Sequence, residues 1–419
     1  KKWSFRIKVK QGQTFNGLKE FSVQSPETRD FLNEWIFHKI CEKEDILTTR
    51  YNFYTLKING YNLGVYALEE HFTKHLLEAK ERREGPILKF NEEGFWECNI
   101  YNKANNEWAK KPVYESSTIM PFKSKKTLQT ERLKNQFLIA QNLMLKYKLG
   151  EPNPNQYLDI NSFAKAYALM SSLNTKHSFI WHNQRFYYNP IISRIELIVF
   201  DCFEGSGEST YREHVLYGTE SWNVKPEFYC IMSVFDDLVF QKKYLFYLKK
   251  YWETEYLQNI TKQLNQETRK LESALQKEYP NYKFDQKQFF RGVQKTKEEL
   301  VDYEQKIINQ EIKYTIKNNQ HEDCYPETPF YHISLNAHLQ ESKVGESTLS
   351  IMNYHCSDIN LLGYSSILNP DSILYFTTPK KIKNYTEGKK VITKLKPEKL
   401  FYQTLKSDSI FSCEIIMWP

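Results

Sequence analysis

The spacing of apolar positions along the chain changes period several times, and each change marks an element. Over residues 3–9 Trp3, Phe5, Ile7 and Val9 alternate with Ser4, Arg6 and Lys8, the period-2 pattern of a half-buried strand, here with a cationic outer face. In "SPETRDFLNEWIFHKICEKED" a Ser-Pro start and early acids precede Phe31, Leu32, Trp35, Ile36 and Ile40 at helical spacing, which predicts a helix over 27–43. "YNFYTLKINGYNLGVYALEEHF" then reads as two strands about an Asn59-Gly60 turn, running out into Glu69 and Glu70, since Asn-Gly between alternating runs is the strongest short hairpin signal. Within 103–150 a polar loop leads into the helix "TERLKNQFLIAQNLMLKYKLG", closed by Gly150, and "LDINSFAKAYALMSSLNTKH" adds another capped by Asp159 or Asn161. Residues 229–275 and 284–315 have helical spacing rich in Lys, Glu and Leu and predict two long helices. Beyond "NNQHEDCYPETPF" the pattern turns to short β-rich runs such as "STLSIMNYH" and "IFSCEIIMW", which suggests a small sandwich or barrel after a boundary near 325. There is no internal repeat.

Composition narrows the classes. The chain has 419 residues, 40% hydrophobic and 15% aromatic, enough for two or three domains with real cores and too apolar for a disordered chain. Its 58 Lys plus Arg exceed 51 Asp plus Glu by a net +7. That excess is spread along the sequence, which favours a solvated mixed-charge surface over a nucleic-acid face. The seven cysteines, at 41, 98, 202, 230, 324, 356 and 413, form no CxxC pair, which argues against structural zinc and against a dense disulfide framework and leaves the compartment open. No apolar run reaches the roughly 18 residues a membrane span needs. The opening "KKWSFRIKVK" reads as the middle of a strand without Met or signal peptide, so a processed or truncated start is expected.

The chemistry gathers in "HSFIWHNQRFYYNPIISRIELIVFDCFEG". Two apolar runs are interrupted by His182, Asn183 and Arg185, and the second run ends on Asp201. Buried strands carry amides and carboxylates only when something pairs with them, because an uncompensated polar group costs on the order of a few kcal/mol. Phosphoryl transfer needs such groups: a carboxylate and an amide to hold metal ions on the phosphates, and a base near the acceptor hydroxyl. A hairpin through Asn189-Pro190 would return Asp201 alongside Asn183, and hard oxygen ligands of this kind suit magnesium.

With these residues in view the chain resembles the CotH-type (spore coat protein H) kinases, an atypical kinase-like family. The resemblance is carried by "GLKEFSVQSPETRDFLNEW", "INGYNLGVYALEEHF", "REGPILKF" and the Trp181–Gly205 stretch, most of residues 2–205. It implies an α+β fold with a two-lobed atypical kinase-like domain and long C-terminal helices, followed by the small β-rich domain. The expected parts are 1–100 as the small lobe, 101–325 as the helical part with the metal hairpin, and 326–419 as the β-rich domain. It also implies an ATP- and Mg2+-dependent phosphotransferase acting on a protein or glycan acceptor of a spore coat or cell envelope, outside the cytoplasm, while the scattered charge leads to the expectation of no nucleic-acid partner. Asn183 and Asp201 match the family's metal positions, and Lys2 matches a strand lysine that approaches the phosphates.

Other expected site residues have a structural alternative beside the functional one. Glu34 is read as the ion-pair partner of that lysine or a solvated helix carboxylate, Glu69 and Glu70 as hinge residues near the ribose or a plain charge pair. Lys89 is placed facing the cleft, and Arg185 anchors a phosphate or pairs with Asp201 or Glu204. Five residues before Asn183, where the family carries an acid, stands Ser178. A serine does not accept a proton at neutral pH, whereas the preceding His177, titrating near about 6.5, does. The expectations are therefore His177 as substitute base or a catalytically impaired nucleotide-binding scaffold, with a binding role for the β-rich segment as a third reading.

Overall fold

The computed structural model describes residues 2–10, 12–105, 117–175, 177–203, 233–253, 255–312, 335–341, 347–353, 357–366, 369–383, 389–393, 397–404 and 411–418. The chain divides into two compact units, one of Lys1–Lys89 with Pro121–Tyr314 and one of Phe90–Met120 with Thr315–Pro419. Glu204, Cys230, Cys324, Cys356, residues 229–232 and the expected boundary near 325 lie outside the described residues.

In the first unit, strands β1 (Phe5–Lys8), β2 (Glu20–Gln24), β3 (Tyr51–Ile58) and β4 (Tyr61–Glu70) form an antiparallel sheet in the order β1-β2-β4-β3. Its apolar face is Phe21, Val23, Tyr66 and Leu68 with Leu18, joined by the partly buried Phe5, Ile7 and Val9. Trp3 is 80% exposed, so the alternation expected over 3–9 yields a shorter strand. Asn59 and Gly60 turn the β3–β4 hairpin with φ of 51° and 83°, the paired positive φ of the turn that matches strand twist.

The helix expected over 27–43 is broken. Pro26–Arg29 is a 3-10 turn, Asp30 and Phe31 have φ of 49° and 52°, and the α-helix α1 runs only over Leu32–Lys43. Tertiary packing overrides helix propensity here: the Phe31 ring stacks on Tyr282 at 4.3 Å and meets Tyr279 edge-on at 5.0 Å, while Asn33 donates to Asp30 at 2.6 Å. The break ends the turn on Arg29.

Strand β5 (Ile87–Phe90) pairs antiparallel with Arg185–Asn189, which turns back into Arg194–Ile198, as the Asn189-Pro190 turn predicted. All five residues of Arg185–Asn189 are buried. Around this hairpin stand the helices Glu131–Leu149, ended by Gly150 at φ 64°, and Ile160–Ser172, whose cap Asp159 accepts from Asn161 and Ser162 N–H. The single long helix expected over 229–275 is three, Leu238–Glu253, Tyr256–Gln263 and Asn265–Gln276. Glu255 turns the chain in the left-handed region, and the bend carries Lys250 (2.8 Å), Tyr251 (3.0 Å) and Tyr256 onto the buried Glu44 carboxylate. The second expected helix resolves into Gln286–Phe289 and Arg291–Ile308.

The second unit contains seven strands in one hydrogen-bonded order: Asn369–Ile382, Ile359–Ser366, Pro397–Thr404, Phe411–Trp418, Leu335–Glu341, Ser347–Asn353 and Lys389–Thr393. All pairs are antiparallel except Phe411–Trp418 beside Leu335–Glu341. Among the described residues the two end strands do not pair. Its core is Leu335, Ala337, Leu349, Ile351, Ile359, Leu361 and Ile382. Among the described residues no helix is long and apolar enough to cross a membrane.

Candidate functional site

Two 3-10 turns, His177–Phe179 and Trp181–Asn183, lead into the hairpin. The second is closed by Asn183 N–H on the Ile180 carbonyl at 2.7 Å, which fixes where Asn183 points. After the hairpin, Val199 N–H bonds the Leu47 carbonyl at 2.8 Å and the Thr48 hydroxyl bonds the Val199 carbonyl at 2.8 Å. The chain then enters Asp201 in the left-handed region, φ 53°. His177 stands between the two polar residues. Its Nδ1 bonds the Asp201 carbonyl at 3.0 Å and lies 3.0 Å from Asp201 Oδ1. Asn183 Nδ2 donates to the His177 carbonyl at 3.2 Å and reaches the ring Nε2 at 3.3 Å.

Asp201 Oδ1 is buried and ion-paired to Arg29 Nη1, yet neither Arg29 nor His177 gives it a directed hydrogen bond. Arg29 Nη2 is 3.7 Å from Glu69 Oε2, and Glu69 Oε1 is buried without a hydrogen-bond partner. Burial alone would lower the Arg29 pKa, but Asp201, Glu69 and Glu34 outweigh it and hold the guanidinium charged. Burial raises the Glu69 carboxyl, Asp201 and Glu34 push the same way, and Arg29 and His38 oppose them. One guanidinium thus serves three carboxylates.

Glu34 is fully buried. Its carboxylate accepts Cys202 N–H at 3.0 and 3.2 Å and Phe203 N–H at 3.0 Å, and meets His38 Nε2 at 2.9 Å. His38 is held in turn by the Thr49 carbonyl on Nδ1 at 2.7 Å. The expected ion pair of Glu34 with Lys2 is therefore replaced by a clamp on the backbone that follows Asp201. A solvated helix carboxylate is equally excluded. Burial raises the Cys202 thiol, with Glu34 adding to the shift.

The remaining expected residues have other partners. Lys2 donates to the Val65 carbonyl at 2.5 Å, pairs with Glu278 at 2.7 Å and lies over the Tyr66 ring. Glu70 closes on Arg50 through Nε at 2.8 Å and Nη2 at 2.5 Å. Lys89 sits opposite Arg185 in strand register, its Nζ 5.8 Å from the Phe122 ring. Arg185 donates to the His182 and Gln184 carbonyls at 2.7 and 3.0 Å, and its guanidinium lies between Phe72, Phe122 and Phe200. The cation on Asp201 is Arg29, not Arg185. Ser178 is buried, with its side chain against the Cys202 thiol.

Arg29 and His38 are the site residues that the sequence reading missed. Their signal was faint: at Asp30–Phe31 the helical period fails, with Phe31 and Leu32 both apolar and both buried, and such a failure turns the preceding residue off the helix surface.

Among the described residues no group of three or more His, Cys, Asp or Glu is placed to hold a metal. The oxygen that fits a hard cation is Asp201 Oδ1, buried without a directed hydrogen bond, with the Asn183 amide held beside His177 through Nδ2. Magnesium keeps several waters and needs only one or two such groups, so this donor set suits it. A search of curated proteins finds no match. A protein-family model, the CotH kinase protein, matches residues 1–314, which takes in β1 to β5, the hairpin and the helices around Asp201, and the chain belongs to the CotH kinase family.

Proposed function

We propose that the chain is an ATP- and magnesium-dependent phosphotransferase with a two-lobed kinase-like domain, acting on a hydroxyl of a protein or glycan acceptor. The observation that carries this reading is the meeting of Asn183 and Asp201 about His177, with a buried Asp201 oxygen that has charge partners but no directed hydrogen bond. Asn183 and Asp201 are the residues to hold magnesium, which when bound neutralises the phosphate charge. Glu34 fixes the backbone after Asp201 through two N–H groups, so the carboxylate is presented by a rigid turn rather than a mobile loop. His177 takes the proton of the acceptor hydroxyl. Lys2 reaches a phosphate only by exchanging Glu278 for it.

A second reading, a nucleotide-binding scaffold without turnover, is favoured by one observation. Ser178, at the position of the family acid, is only 2% exposed and faces Cys202. Calorimetric titration with ATP and magnesium, with phosphotransfer assayed in parallel, separates the readings. Asp201→Ala is expected to weaken magnesium-dependent ATP binding at least tenfold. His177→Ala is expected to keep binding and to lower turnover about 100-fold or more, the usual worth of a positioned base. Binding intact in Asp201→Ala sinks the proposal, and binding without transfer in the native chain selects the scaffold.

A further inference from the structure

We infer that Arg29 is a resident counter-ion that holds Asp201 until a divalent cation replaces it, and that Glu69 is the group to which the released guanidinium moves. The inference rests on the reading of Asp201 as a metal ligand. Arg29 and its three carboxylates are all largely buried, with side-chain exposures of 18% for Arg29, 12% for Glu69, 7% for Asp201 and 0% for Glu34. Glu34 is already engaged by two backbone N–H groups and His38. Asp201 and Glu69 are left to share one guanidinium.

That sharing is incomplete in a directed way. A purely structural arginine pair in a buried site closes its fork on one carboxylate, since planar bidentate pairing is the strong form. Here the fork is split. Nη1 lies on Asp201, Nη2 is 3.7 Å from Glu69 Oε2, and the Arg29 Nε and Glu69 Oε1 atoms are both buried without hydrogen bonds. Closing the gap to Glu69 needs a shift of about 1 Å to reach hydrogen-bond length. A cation arriving at Asp201 competes with Arg29 for the same oxygen, and expelling a guanidinium unpaired into a buried site is costly. Glu69 removes that obstacle, because its open oxygen receives the group that the metal displaces. Metal affinity should then depend on Arg29 and Glu69 with opposite signs.

The test uses the full chain and Mn2+ or Mg2+ alone, read by titration calorimetry and by the metal-induced shift of the melting temperature. Arg29→Gln is expected to bind Mn2+ at least tenfold more tightly than the native chain. It should also melt lower without metal and regain more on metal addition, as mass action requires of a tighter ligand. Glu69→Gln, which removes the negative charge that would receive the guanidinium, is expected to bind at least tenfold more weakly. Metal binding that is unchanged or weaker in a folded Arg29→Gln protein overturns the inference and leaves Asp201 as a ligand. No metal binding in the native chain or in Arg29→Gln overturns the inference and the ligand assignment together. If Arg29→Gln does not fold, Glu69→Gln decides alone: an unchanged affinity there overturns the proposal.

Discussion

Glu69 and Glu70 show how a strand separates two like residues. β4 alternates its side chains, so Glu70 closes on Arg50 while Glu69 turns toward Arg29 and Asp201. Sequence alone placed both at a hinge and stopped there, because alternation tells that two neighbours face opposite ways but not which cation waits on each side. The difference has a pH consequence. Burial first, then Asp201 and Glu34, raise the Glu69 carboxyl above its ordinary value. A group whose folded pKa lies above the unfolded one stabilises the fold while it is protonated, and that contribution is lost as pH rises through the folded pKa. Glu69→Gln keeps the shape and removes the charge. The apoprotein variant is therefore expected to melt above the native chain at pH 7.5, because the charged carboxylate it lacks is disfavoured by burial. The gap should shrink as the pH falls toward 4.5. A melting difference that is constant across this range would contradict the assignment.

At the scale of elements, what was legible was local. The Asn59-Gly60 turn, the Gly150 stop and the Asp159 cap each rest on residues within a few positions of one another, and so does the return of Asp201 through the Asn189-Pro190 hairpin. What was not legible came from distant packing. Tyr279 and Tyr282 break the helix at Phe31, and Glu44 gathers the bend at Glu255. The same limit governs Gly292 in the helix Arg291–Ile308. Read from sequence, a helical glycine invites replacement by alanine, worth about 1 kcal/mol in propensity. In the fold, a Cβ there would lie 2.6 Å from the Ser172 carbonyl oxygen and 2.8 Å from Asn174 N. Both are backbone atoms at the end of the helix that leads to His177. Overpacking of this kind costs about 1–3 kcal/mol, so the steric term wins. Gly292→Ala is expected to lower stability by about 1–2 kcal/mol in urea denaturation, and to weaken magnesium–ATP binding by displacing the backbone at Ser172 and Asn174. A gain in stability would show that this segment yields freely.

At the scale of the molecule the family match ends at residue 314, and the first compact unit ends at Tyr314. The change to β-rich composition near the C-terminus was visible in the sequence. The grouping of Phe90–Met120 with the C-terminal strands was not, since association between segments so distant in sequence leaves no signal in local periodicity. The chain leaves and re-enters the first unit through closely spaced points: Phe122 N–H bonds the Ile87 carbonyl at 2.8 Å, and Asn91 N–H bonds the Thr118 carbonyl at 2.7 Å. Ends this close are the mark of a segment that can be removed without stretching the host. A chain in which Asn-Gly joins Asn91 to Thr118, ending at residue 314, replaces the intervening residues by a two-residue hairpin turn. It retains the described core about Asp201, including Arg29, Glu34, Glu69, His177 and Asn183. The shortened chain is expected to melt cooperatively and to bind ATP and magnesium within about threefold of the full chain, since every residue proposed to hold them stays in place. A chain that folds but no longer binds would assign part of the site to the removed residues, and one that does not fold would make the second unit a requirement of the first.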